Sequence, residues 1–68
     1  MDEEYYQKLL RKCINHYRFY IRRMKGKEAV DCMASVFACY GGDATCQLMT
    51  HYPGNKLREE IAKVLDSE

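Results

Sequence analysis

Tryptophan is absent from this 68-residue chain, proline occurs once, and no apolar run is long. Each shortage excludes something. A membrane-spanning helix needs about 20 consecutive apolar residues, and no segment approaches that. One Pro, four Gly and no low-complexity run leave little that reads as unstructured, and an apolar fraction of 47% argues against intrinsic disorder. The opening stretch MDEEYYQK is acidic and polar, unlike a secretory signal. These features predict a single helical domain over residues 1–68, cytoplasmic and without membrane association. A chain this short buries a small core, so self-association into a dimer is an expected supplement.

Charge of one sign is also not in excess, since the net charge is +1. Its distribution is uneven. Residues 2–27 carry eight Lys/Arg against three Asp/Glu, whereas residues 28–68 carry three against seven. The chain is bipolar along its length. That favours antiparallel packing of the halves or association between copies, and it offers a basic face to an acidic partner. The four cysteines, Cys13, Cys32, Cys39 and Cys46, are expected as free thiols that pack as small apolar residues.

Periodicity supplies the fold class. Tyr6, Leu10, Cys13, Tyr17, Tyr20 and Met24 recur at steps of four and three, and Leu9, Ile14 and Ile21 widen that seam. The spacing predicts one helix over 2–25. Asp2, Glu3 and Glu4 suit its start, Arg22, Arg23 and Lys25 its end, and Gly26 its stop. A second helix over 27–40 has Glu28, Asp31 and Ser35 as its one polar stripe, so it should be central. Ala34 and Ala38 would permit a close crossing. Gly41 and Gly42 end it, and Asp43 is placed to cap a short third helix over 44–52, buried through Leu48 and Tyr52. Pro53 and Gly54 break the chain again. Asn55 can cap a fourth helix over 55–66, with a stripe of Leu57, Ile61, Val64 and Leu65. No alternating run predicts a strand. The expected fold is all-α, a bundle of three main helices plus one short helix.

Motifs for chemistry are scarce. Cys13 and His16, with Cys46 and His51, spell C-x2-H … C-x4-H, a donor set that tetrahedral zinc accepts. It is a weak metal candidate, because paired Cys knuckles are missing and Cys13 also fits the core seam. Cys32 and Cys39 border the acidic stripe of the second helix, where carboxylates raise a thiol pKa and favour a packing role. There is no G-x-S-x-G, no phosphate loop and no carboxylate pair in apolar surroundings. Neither enzyme activity nor a cofactor is expected. Ala38, Gly42 and Leu48 match the spacing of a helix-turn-helix, so the chain resembles that motif over about twenty residues. Asp43 and His51 depart from it by standing at positions that are usually apolar. The would-be recognition helix offers Thr45, Gln47, Thr50 and His51 but no Arg or Lys, and the resemblance carries over no functional residue.

One residue breaks the pattern of the first helix. On a regular helix Phe19 falls on the polar side, with Asn15, His16, Arg22 and Arg23 three and four residues away and Lys12 two turns back. Three occupants compete for it: a partner protein, a nucleic-acid base, or the chain itself through the fourth helix or a second copy. In the last case Glu59 and Glu60 would meet the Arg cluster. An aromatic anchor among arginines resembles an interface hot spot. The expected function is a small non-enzymatic regulatory or inhibitory protein-binding module. Its expected site is Lys12, Asn15, Arg18, Phe19, Arg22 and Arg23. The alternative is a nucleic-acid-binding regulator using Lys12, Arg18, Arg22, Arg23 and Lys25.

Overall fold

The first helix starts where its acidic residues predict. The Asp2 carboxylate accepts from the Tyr5 backbone N–H at 3.2 Å, and Glu3 and Glu4 follow where the helix dipole favours anions. In the computed structural model, which describes residues 2–68, α1 spans Glu3–His16 and buries Leu10, Cys13 and Ile14. It is shorter than expected. The helix predicted over 2–25 stops at His16, and a 3₁₀ turn covers Arg18–Tyr20. A straight helix over 2–25 would run about 36 Å at 1.5 Å per residue, whereas the chain with the break is 33 Å in its longest dimension. Breaking at Tyr17 folds Ile21 into the core instead and lets the Tyr17 hydroxyl donate to the Tyr40 carbonyl at 3.2 Å. Gly26, with φ of +60°, takes a left-handed conformation as the chain turns into the next helix.

Three further helices follow: α2 over Gly26–Tyr40, α3 over Asp43–His51 and α4 over Asn55–Asp66. Their bounds lie within one residue of those the sequence predicts. Among the described residues there is no strand, and no helix is long and apolar enough to cross a membrane. The predicted caps differ. Asp43 and Asn55 are the first residues of α3 and α4, while Gly42 and Gly54 occupy the cap positions without a side-chain bond.

The centre belongs to α2, which packs against α3, α4 and the 3₁₀ turn. It buries Ala29, Met33, Ala34, Val36 and Phe37. Glu28 and Ser35 on its predicted polar stripe are exposed, and Asp31 is half-buried. Ala38 is exposed as well, so of the pair expected at a close crossing only Ala34 is buried. Leu10 and Ile14 of α1, Leu48 and Tyr52 at α3, and Leu57, Ile61 and Val64 of α4 complete the core. A fully buried side chain of this kind contributes about 1.5–3 kcal/mol.

The α2–α3 connection is sterically tight. A Cβ at Gly41 would sit 1.8 Å from Thr45 Oγ1 and 2.6 Å from the Phe37 carbonyl oxygen. Thr45 is itself buried, its hydroxyl donating to the Gly42 carbonyl at 2.9 Å. Gly41→Ala should therefore destabilise the fold by about 2 kcal/mol, as overpacking typically does, measured by urea denaturation. Adding Thr45→Ala should recover only part of the loss, because the Phe37 carbonyl remains in the way.

Candidate binding surface

Ending α1 at His16 changes where Phe19 points. It no longer lies on the helix face shared with Asn15 and Arg22. It is 60% exposed and begins a row of three exposed rings in which it meets Tyr20 and Tyr20 meets Tyr40. Its centroid is 4.3 Å from that of Tyr20, and Tyr20 stacks on Tyr40 at 5.6 Å with planes 6° apart. Tyr20 and Tyr40 are 38% and 65% exposed. Of the four large exposed apolar side chains among the described residues, only Tyr5 lies outside this cluster. Tyr17 connects the cluster to the core, 6.3 Å from Tyr20 and 6.2 Å from buried Phe37. The patch is thus a ladder of rings that rises from the core and ends in solvent. Neither α4 nor any other part of the described chain covers Phe19.

Sequence reasoning missed Tyr20 and Tyr40. Tyr20 fits the seam of a continuous helix and reads as core. Tyr40 reads as the end of an apolar helix. Only the break at Tyr17 brings the two together.

The predicted site residues divide. Arg18 is committed inside the molecule. It forms an ion pair with Glu68 and donates to Asn15 Oδ1 at 3.0 Å. Among the described residues, Arg22 and Arg23 form no ion pair with Glu59 or Glu60: Glu60 pairs with Lys56 and Lys63, and of the arginines near Phe19 only Arg18 is paired, with Glu68. Burial being slight, the Glu68 bond raises the Arg18 pKa and Arg18 in turn lowers that of Glu68. Arg22 lines a groove beside α4 together with Arg18. Lys12 and Arg23 are exposed. Among the described residues, six of the eleven Lys/Arg form ion pairs: Lys8, Arg18, Lys27, Lys56, Arg58 and Lys63. The five that do not, Arg11, Lys12, Arg22, Arg23 and Lys25, all fall between residues 11 and 25. Free positive charge is concentrated in the stretch of chain that carries Phe19 and Tyr20.

The zinc candidates do not assemble. Cys13 is buried in the core, where desolvation raises its thiol pKa against a smaller opposing effect of Lys12. His16 is exposed and packs edge-on against Tyr17. His51 stacks on Tyr6 at 3.7 Å. Among the described residues, no group of three or more His, Cys, Asp or Glu could hold a metal ion. On α3, the second helix of the helix-turn-helix-like stretch, Gln47 accepts from the Tyr5 hydroxyl at 3.2 Å and His51 Nε2 lies 3.2 Å from Glu3.

A second polar feature joins α1, α3 and α4. Glu60 is 5% exposed and charged. It accepts from Gln7 at 2.9 Å and pairs with Lys56 and Lys63 at 3.3 Å. Burial pushes its pKa up, but these donors outweigh burial and hold it below the ordinary carboxylate value. Gln7 also points at the Tyr52 hydroxyl at 2.9 Å and at Glu3 at 3.2 Å. Its two N–H groups are therefore shared among three acceptors. Tyr52 donates to Glu3 at 2.5 Å. Bonds from Tyr52, His51 and Gln7 bring Glu3 down to about 2, while burial and the Glu3 contact push Tyr52 up to about 12. Every buried side-chain polar atom among the described residues has a partner. The network serves the fold. Its members bond to one another and to Lys56, Lys63 and His51.

Comparison with protein-family models, with curated proteins and with solved structures finds no match to this chain.

The network predicts acid sensitivity. The folded pKa of Glu3 lies below its unfolded value of 4.5, so its contribution is complete above that pH and is lost as pH falls towards 2. Glu60, Asp31 and Glu68 are lowered too and act in the same direction. Tyr52→Phe should cost about 1–2 kcal/mol at neutral pH. The gap to the unmodified chain should narrow as pH falls through that window, read from urea midpoints at several pH values.

Proposed function

We propose that this protein is a small non-enzymatic regulatory or inhibitory module that binds an acidic surface of another protein. Phe19, Tyr20 and Tyr40 form the apolar anchor, and Lys12 and Arg23 supply charge around it. Arg18 and Asn15 hold the turn that presents the rings. The observation that carries this reading is the solvent-facing aromatic cluster, two of whose rings, Phe19 and Tyr20, lie in the stretch 11–25 that holds every Lys/Arg without an ion-pair partner among the described residues. Exposed rings beside arginines are the composition of interface hot spots, where one aromatic can account for about 2 kcal/mol or more of binding. A carboxylate-rich partner would neutralise charges that nothing within the chain neutralises, and would be steered to the site from a distance.

Single-stranded nucleic acid is the second reading. Bases stack on exposed rings while nearby cations contact phosphate. The two readings differ in salt dependence and in nuclease sensitivity. Binding through about five phosphates weakens by orders of magnitude between low and moderate salt, whereas an interface anchored on rings weakens much less.

Affinity capture from an extract of the native cell, with and without nuclease, tests this. The expected result is a protein retained after nuclease treatment and lost from Phe19→Ala and Tyr40→Ala baits. Phe19→Ala should weaken the purified pair about 30-fold or more and change folding stability by no more than about 0.5 kcal/mol. Loss of all bound material on nuclease treatment favours the nucleic-acid reading. A folding loss of several kcal/mol makes Phe19 a core residue and removes the basis of both.

A further inference from the structure

A groove of about 1150 Å³ runs along α4. One wall is the chain from Arg18 to Lys27, and the other is the face of α4 that carries Glu59, Ala62 and Asp66. Ion pairs span both ends. Arg18 meets Glu68 at one. At the other, Asp31 meets Arg58 at 3.1 Å and Lys27 at 3.1 Å. The lining between includes the apolar residues Ile21, Met24, Val30 and Leu65. Four charged residues in the lining have no ion-pair partner among the described residues: Arg22 and Lys25 on one wall, Glu59 and Asp66 on the other. Every other charge in the lining is paired.

We propose that a second copy of this chain docks in this groove, related to the first by a twofold axis parallel to it. The free charges are two cations facing two anions, so the surface complements itself. A strongly acidic partner would meet Glu59 and Asp66, and a strongly basic one Arg22 and Lys25. The ends set the register. The first wall runs from Arg18 beside Glu68 to Lys27 beside Asp31 and Arg58, which places Arg22 towards the Asp66 end and Lys25 towards the Glu59 end. An axis along the groove exchanges the walls and keeps position along it. Arg22 then meets Asp66 of the partner subunit, and Lys25 meets Glu59 of the partner subunit, each contact occurring twice. An axis across the groove would set cation against cation. Docking would also cover Met24, Val30 and Leu65, which are half-buried in the single chain, adding core to a chain with little of its own. Phe19, Tyr20 and Tyr40 do not line the groove, so this dimer is independent of the binding function proposed above.

Sedimentation equilibrium of the full chain under reducing conditions tests the proposal, the reductant preventing disulfides through exposed Cys39 and Cys46. The unmodified chain should form a dimer that weakens as salt is raised. Arg22→Glu with Lys25→Glu should weaken self-association about tenfold or more, as should Glu59→Lys with Asp66→Arg. The two reversed variants, once mixed, should form a heterodimer, because each wall then meets its opposite. Circular dichroism checks that each stays helical. If one does not, Arg22→Gln with Lys25→Gln reads the same contact without repulsion, and self-association must still weaken. A chain that stays monomeric up to about 1 mM overturns the proposal. So does a dimer indifferent to these substitutions, or a pair of folded reversed variants that ignore each other.

Discussion

Burial of Ile21 is the constraint on which the candidate surfaces depend. Ile21 belongs to the same core cluster as Ala29, Leu57 and Ile61, and it enters that cluster after α1 has ended and the chain has passed through the 3₁₀ turn. The break at Tyr17 follows, and with it three consequences. Phe19 and Tyr20 are exposed, with Tyr20 stacked on Tyr40 and Phe19 against Tyr20. Arg18 is carried to Glu68 at the far end of the chain. The stretch from Arg22 to Lys27 becomes the wall of a groove instead of the last turns of a helix. Packing of one isoleucine thus organises the aromatic patch, the free cations and the groove together.

The opposite side of the molecule is held by a different kind of interaction. Glu3, Gln7, Tyr52 and Glu60 come from α1, α4 and the end of α3, and each satisfies another. A carboxylate as buried as Glu60 would be destabilising alone, since an uncompensated buried charge costs several kcal/mol. With Lys56 and Lys63 reaching in from its own helix and Gln7 from α1, it instead fixes how α1 meets α4. Polar networks of this kind add little net energy and much geometric definition. They matter most where the apolar core is as small as it is in this chain.

These two regions explain how charge is divided. Pairing within the chain uses up the cations of α4 and of the start of α2. It also uses the acids that face the polar network and the groove ends. Among the described residues the cations without an ion-pair partner are Arg11 and Lys12 on α1 and Arg22, Arg23 and Lys25 after it, and Arg22 and Lys25 line the groove together with unpaired Glu59 and Asp66.

Local pattern determined much of this protein. Spacing of three and four residues identified the helices. Gly41, Gly42 and Pro53-Gly54 marked where α2 and α3 end, and Leu10, Ile14, Leu48, Leu57, Ile61 and Val64 were recognisable as core. Such features depend on neighbours within a turn or two, which the sequence states directly. Phe19 was recognisable as out of place for the same reason. The end of α1, the company Phe19 keeps and the burial of Glu60 were not recognisable. Those depend on contacts between residues far apart in the chain: Tyr17 with Tyr40, Arg18 with Glu68, Gln7 with Glu60. A continuous helix and a broken one carry the same periodicity. Only the finite size of the core it must cover decides between them, and that is a property of the assembled tertiary structure.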